Sequence, residues 1–283
     1  MSEPTLYVVA TPIGNLDDMV PRAVAVLQSV DVIAAEDTRH SARLLSHFSI
    51  ETPALAYHDH TDLKQVVALI ERMQRGQSIA LISDAGTPLV SDPGYRLVRE
   101  TRKAGIRVVP VPGACAMVAA LSASGLPSDR FAFEGFLPAK TAARCSRLEP
   151  LAGDERTLIF YEAPHRIEAS LADMAGVFGP DREAVLAREI TKTFETIYSG
   201  SVADLQAFVA SDSNQRRGEM VVMVRGVSRT EKKVDIDPEA ERLMRILMNE
   251  LSLKQASKLV AEITGLKKKP LYQWGVEQNQ GEQ

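Results

Sequence analysis

Cysteine is scarce in this chain. Cys115 and Cys145 are the only two among 283 residues, and they stand far apart with neither CxxC spacing nor nearby histidine partners. That excludes a disulfide framework and a zinc site and favours a reducing compartment. Long apolar runs are missing too: no stretch approaches about 18 uninterrupted apolar residues, so no membrane span is expected. The start, Met1-Ser2-Glu3-Pro4, lacks the basic and apolar regions of a secretory signal, and the chain is expected to be cytoplasmic. There is no excess of positive charge, since 33 Lys+Arg face 37 Asp+Glu for a net charge of −4. A strongly basic nucleic-acid binder is thereby disfavoured, although a local basic groove is not. With 17 Gly and 15 Pro, collagen-like and low-complexity readings also fail. No GxGxxG follows the first strand, and neither a Walker A sequence nor a GxSxG elbow occurs. The five histidines show no metal-ligand spacing, and the His58-Asp59-His60 run reads as a surface loop, so no metal is expected.

What is present is enough apolar material, 45% of residues, for two compact cores. The first half alternates strand and helix signals. Short buried strands are predicted over 6–10, 32–35, 79–83 and 107–111. Between them lie a helix opened by Pro21 and one over about 63–75, with Val66, Leu69, Ile70 and Met73 at helical spacing. Asp92-Pro93 reads as an N-cap with proline at the first helical position, opening a helix through Lys103. This order predicts an α/β domain with a mainly parallel sheet over 1–124. After Ser124-Gly125 a second α/β domain, 125–227, is expected. Its strands over 131–136, 157–161, 183–189, 193–199 and 220–224 form a mixed sheet, with helices near 167–178 and 202–210. A polar linker over 227–237 then leads to a helical tail, 238–283. There Ser252 and Gln255 form a capping box, Gly265 ends a helix and Pro270 opens another. The tail reads equally as a helix-turn-helix module or a helical clamp.

The most informative feature is a set of turns, each directly after a strand: Thr11-Pro12-Ile13-Gly14-Asn15, the long run from Ser83-Asp84-Ala85-Gly86-Thr87-Pro88 to Gly94, and Pro112-Gly113-Ala114-Cys115-Ala116. Ligands of open α/β sheets collect at the carboxyl ends of strands, and small residues there let a ligand approach the backbone. With no lysine and two glycines, the long turn is not a polyphosphate cradle.

Those turns, together with Ala-Glu-Asp-Thr-Arg over 35–39 and Phe-Tyr-Glu-Ala-Pro-His-Arg over 160–166, resemble the tetrapyrrole-methylase superfamily of S-adenosylmethionine-dependent methyltransferases. Within it they look like the branch that methylates the 2′-oxygen of a cytidine ribose in 16S ribosomal RNA. Relatives acting on tetrapyrroles typically carry Gly-x-Gly-Pro-Gly at the first turn and Gly-Gly-Asp-Pro at the second, which this chain does not. The resemblance implies a two-domain enzyme, a homodimer, whose partner is 16S rRNA or the small ribosomal subunit; the near-cancelling charges of the tail argue against DNA, and the lack of long apolar runs argues against a membrane. Carried over, S-adenosylmethionine would contact Pro12, Ser83, Asp84, Ala85, Pro112, Cys115, Ala116, Tyr161 and Glu162, with Gly86 and Thr87 added from the same turn.

A ribose hydroxyl is a poor nucleophile, so a general base or a cation near the acceptor oxygen is expected. Candidate bases are Glu36, Asp37 and Glu162, while Lys192 and Arg39 are candidate cations. Asp37 reads equally as a helix cap, Glu162 as a residue orienting the turn after it, and Lys192 as a surface ion-pair partner. For RNA contact the candidates are Arg39 and the set Lys140, Arg144 and Arg147, spaced to share one helical face, with Arg216-Arg217 and Lys267–Lys269 further off. Phe136, Tyr161 and Trp274 are candidate stacking platforms or core residues.

Overall fold

A computed structural model describes residues 3–58, 63–228 and 237–280. Asp59 and His60 of the histidine run, and the linker residues 229–236, lie outside the described residues. The first sheet is parallel throughout. Strands β1 (Thr5–Val9), β2 (Val32–Ala35), β3 (Ala54–Ala56), β4 (Ile79–Ile82) and β5 (Arg107–Val111) run in the order β3-β2-β4-β1-β5. Every residue of β2 and β4 is buried, because helices cover both faces of the sheet. On one face α1 (Pro21–Ser29) and α2 (Thr38–His47) bring Ala23, Leu27 and Leu45 against Val9, Ile33, Ala35 and Ile82. On the other, α3 (Leu63–Gln74) and α4 (Tyr95–Lys103) set Val66, Leu69, Met73 and Leu97 against Leu6, Ala34, Ile79 and Leu81. The period-2 alternation of strand side chains sorts neighbours such as Ile33 and Ala34 between the two cores.

Helix α5 (Ala116–Ser124) follows β5 yet serves the second sheet, where Ala120 meets Ile159, Val185, Val221 and Met223. That sheet comprises β6 (Phe131–Phe136), β7 (Thr157–Glu162), β8 (Glu183–Arg188), β9 (Thr196–Ser201) and β10 (Met220–Val224), ordered β6-β7-β10-β8-β9. It is mixed: β6 and β7 are parallel and the remaining pairs antiparallel. Its other face is covered by α6 (Thr141–Leu148), α7 (Ile167–Phe178) and α8 (Val202–Ser211), which bury Leu148, Leu171, Met174 and Leu205 on Leu158, Phe160, Leu186 and Val222. Both sheets belong to one compact unit, Met1–Gly226, and Val227–Gln283 form another.

The second unit has helices α9 (Pro238–Met248), α10 (Leu253–Thr264) and α11 (Lys268–Gln280) around Ala240, Met244, Ala256, Val260, Leu271 and Trp274. Ser252 donates its backbone N–H to Gln255, and Gly265 ends α10 in the left-handed conformation. Helix α11 starts at Lys268, so Pro270 sits inside its first turn rather than opening it. Trp274 is buried with the Arg245 guanidinium 5.2 Å from its ring centre, which makes it a core residue and not a stacking platform.

Helix α5 and strand β3 went unread in the sequence, and of α2 only the cap at Asp37 was weighed. Helix α4 corrects another expectation: its N-cap is Gly94 at φ +135°, not Asp92. A Cβ on Gly94 would stand 2.7 Å from Leu81 Cδ2 and 3.0 Å from Leu89 Cδ1, so the close approach of these leucines demands glycine there. Strand β9 also begins three residues later than expected, at Thr196.

Candidate functional site

The three turns at the carboxyl ends of β1, β4 and β5 form one interlocked body. Thr11 and Gly86 exchange backbone hydrogen bonds of 2.9 and 3.0 Å, and the Thr11 hydroxyl donates to the Ser83 carbonyl at 3.3 Å. The Thr87 hydroxyl donates to the Ala114 carbonyl at 3.0 Å. A Cβ on Gly113 would lie 2.9 Å from Ala10 Cβ, so the third turn rests directly on the first. The long turn carries two non-glycine residues in the left-handed region, Leu89 at φ +72° and Ser91 at φ +63°. Such strain persists only where surrounding contacts over-determine it, and it concentrates at ligand sites.

Opposite these turns stands the second sheet, and between them lies a cavity of about 340 Å³. Ala85, Gly86 and Thr87 line it from the second turn, Cys115 and Ala116 from the third, and Tyr161 and Glu162 from the end of β7. Ile190 and Met220 belong to the far wall. Tyr161 is fixed by its hydroxyl, which accepts from the Met117 N–H at 3.1 Å in the first turn of α5. Burial is the main cause that pushes this phenol well above its ordinary value, so it stays neutral. The two walls are also joined by a clasp beside the wall residue Glu219. The stem of Lys192 lies over Gly14, where any Cβ would fall within 2.4 Å of it, and the Thr191 hydroxyl bonds to Asp18.

Residues 5–206 match the family model described as Tetrapyrrole (Corrin/Porphyrin) Methylases. The chain belongs to the tetrapyrrole methylase family. Residues 234–279 of this methylase match a second model, the RsmI C-terminal HTH domain, which favours the helix-turn-helix reading of the tail. Among its relatives, the protein of Pseudomonas aeruginosa named ribosomal RNA small subunit methyltransferase I is 60% identical over 99% of each chain. Proteins with the same name from Pasteurella multocida, 56% identical over 96% of each chain, and Escherichia coli O157:H7, 53% identical over 98% of this chain and 96% of that one, are similar too. In fold, the methylase resembles diphthine synthase (TM-score 0.60, 13% identity, 78% of this chain and 89% of that one). It also resembles the methyltransferase CobJ (TM-score 0.58, 20% identity, 80% and 95%).

Several residues singled out in the methylase sequence sit apart from the cavity lining. Pro12, Ser83, Asp84 and Pro112 belong to the lining turns but are not among the wall residues. Asp84 ties the second turn to the end of β2, accepting from Asp37 N–H at 3.1 Å while its own N–H donates to Glu36 at 3.3 Å. Asp37 caps α2, accepting from the Arg39 and His40 N–H groups, and the Arg39 side chain bonds it as well. That side-chain bond, first among several, holds the Asp37 carboxyl below its ordinary value, which makes it a poor base. Glu162 is buried and accepts from Ala163 N–H at 2.8 Å and the Ser170 hydroxyl at 2.5 Å, with Arg166 Nε 3.2 Å away. Arg144 corrects the basic-face expectation. It is buried on Asp173 at 2.6 Å, whereas Lys140 and Arg147 are exposed. Arg39 is also exposed. Wall residues that sequence reasoning missed include Ile190, Glu219 and Met220; they lie on the second sheet and its loops, where no turn motif marks them.

Lys192 pairs with Glu189 and Glu219, both at 3.0 Å. Burial alone would lower its pKa, but the two carboxylates outweigh burial and the net shift is upward, so Lys192 stays cationic at neutral pH. Glu189 is the mirror case: burial raises it, while the Glu219 N–H and Lys192 bring it below 4.5 overall. A depressed carboxylate gives stability that is present above its unfolded value and lost as pH falls through its folded one. Lys192→Met should therefore reduce the loss of stability of the methylase on the acid side of pH 4.5, measured by urea unfolding across pH.

Proposed function

We propose that this chain transfers a methyl group from S-adenosylmethionine to the 2′-hydroxyl of a cytidine ribose in the 16S RNA of the small ribosomal subunit, acting in the cytoplasm. The observation that carries the reading is the single-ligand cavity walled by interlocked strand-end turns, in a chain 60% identical throughout to a ribosomal RNA small subunit methyltransferase I. The motif resemblance supplies the cytidine 2′-oxygen.

The residues fit the donor. Ala85, Gly86 and Ala116 are small and leave backbone open to a ligand, and Thr87 and Tyr161 add polar atoms at fixed positions. The first turn of α5, whose N-cap Cys115 makes no side-chain cap bond, favours an anionic group such as a carboxylate. When bound, the donor supplies a methyl already activated on a sulfonium with a neutral leaving group. What remains for the protein is alignment and exclusion of water. Rigid walls achieve both, and positioning supplies much of the rate. Lys192, kept cationic beside the wall residue Glu219, is the candidate that favours negative charge on the acceptor oxygen. The reading extends to a homodimer: edge strand β9 lies beside Phe194, which is 71% exposed, and an open apolar edge is a surface that a second copy covers.

Mapping ribose methylation in ribosomal RNA from cells with and without the chain tests the activity, and loss of one cytidine 2′-O-methyl group in 16S RNA supports it. Transfer from labelled donor to uroporphyrinogen rather than to small subunits would overturn it. For the donor site, Gly86→Ala places a Cβ at φ +82° and 3.3 Å from Ile13 Cγ2. Calorimetry should show S-adenosylmethionine bound roughly tenfold more weakly, for about 1–3 kcal/mol of backbone strain and crowding.

A further inference from the structure

We propose that Phe136 is a stacking platform for a nucleobase of the acceptor RNA, at the mouth of the donor cavity. The proposal rests on the RNA-methylating reading above and adds the acceptor subsite to it. A cavity of about 340 Å³ lies at the low end of the size that encloses one small ligand. With the donor inside, the nucleotide that receives the methyl group must approach from the opening. Among the described wall residues, Phe136 is the one large apolar side chain left exposed, at 56%.

Its position is built by a bulge. Strands β6 and β7 pair Phe133 with Ile159 and then Gly135 with Phe160, so Glu134 and Gly135 together oppose one residue. Gly135 takes φ +67°, a left-handed conformation that glycine adopts without steric cost. In a regular strand Phe133 and Phe136, three apart, would point to opposite faces. The bulge puts both on the face of Tyr161, which they meet edge-on with ring centres 4.8 and 5.6 Å away. Tyr161 is itself pinned by Met117, so the exposed ring of Phe136 stands on a rigid aromatic base. Cations flank it. Arg147 pairs with the bulge residue Glu134 at 2.5 Å, and Lys140 is exposed at the N-cap of α6. An exposed aromatic face held on a rigid base is the chemistry that receives an unstacked nucleobase.

The test uses the full-length chain with Phe136→Ala, Phe136→Leu and Phe136→Trp, checked for native circular dichroism. Donor affinity is read by calorimetry with S-adenosylmethionine, and transfer by initial rates on small ribosomal subunits. Phe136→Ala and Phe136→Leu should raise the KM for the acceptor roughly 5- to 150-fold, the range of one lost base stack, with the donor Kd unchanged within about twofold. Phe136→Trp should restore the wild-type KM. A weakened donor Kd with unchanged acceptor KM would assign Phe136 to the donor wall and overturn the platform. Full rescue by Phe136→Leu overturns stacking in favour of plain apolar contact. If the wild-type chain binds donor but methylates no ribosomal RNA, the activity and the platform fall together.

Discussion

Glu162→Ala should lower the unfolding free energy by about 3 kcal/mol, the range for removing one partner of a buried ion pair. The carboxylate is buried, and its two oxygens join three parts of the chain. One accepts from the next residue's N–H and faces Arg166, and the other accepts from Ser170 inside α7. Arg166 in turn donates to the Leu137 carbonyl, so the loss would spread to the segment after β6. Glu162→Gln keeps the shape and one acceptor, and the Ser170 hydroxyl can rotate to accept; about 1–2 kcal/mol is expected, measured by urea unfolding with an unchanged m value. The pair also separates an anchor from a catalyst. As an anchor, folded Glu162→Gln transfers methyl groups within about tenfold of wild type, whereas loss of a general base removes a factor of 10²–10⁴. Wild-type stability with activity reduced more than about a hundredfold would make Glu162 the base after all.

This double nature of Glu162, in the cavity wall yet internally bonded, shows where reading the sequence reaches and where it stops. Strands with continuous apolar runs, such as Val32–Ala35 and Met220–Val224, could be bounded from composition because both of their faces are covered. β3 is three residues long with an alternately exposed pattern, too short for any periodic signal. Helix α2 is largely polar, and what announces it is the cap: Asp37 accepting from two N–H groups, which a sequence shows only as a carboxylate near a strand end. Asp92-Pro93 carries the signature of a helix start, but local preference yielded to Leu89 and Leu81 closing on Gly94. For the cavity, the turns holding Ala85 to Thr87 and Cys115-Ala116 stand out in the sequence because each directly follows a strand, while the family resemblance suggested which of their residues face a ligand. Ile190 and Glu219 could not, since they reach the cavity through pairing in the second sheet.

Arg144→Ala should destabilise the protein by about 3–5 kcal/mol, and Arg144→Lys should not restore it. Arg144 is 1% exposed. Its Nε meets Asp173 at 2.6 Å, its Nη1 donates to the Ala139 carbonyl at 3.1 Å, and its Nη2 donates to the Thr141 hydroxyl at 3.2 Å. A planar fork serves three acceptors at once, which an ammonium cannot do, and truncation leaves Asp173 unpaired on α7. At roughly 2–4 °C per kcal/mol for a domain this size, the thermal midpoint should fall by about 10 °C. The spacing of Lys140, Arg144 and Arg147 is helical as read, but α6 turns the middle member inward, so reversing all three would confuse unfolding with lost RNA contact. Lys140→Glu combined with Arg147→Gln isolates the contact. This variant should keep its thermal midpoint, bind small-subunit RNA more weakly, and flatten the plot of log affinity against log salt by about 0.7 for each lost phosphate contact. An unchanged salt slope would remove these two side chains from the RNA path. Full stability in Arg144→Ala, with RNA affinity lost, would return Arg144 to that path and overturn its role as a buried anchor of α6 on α7.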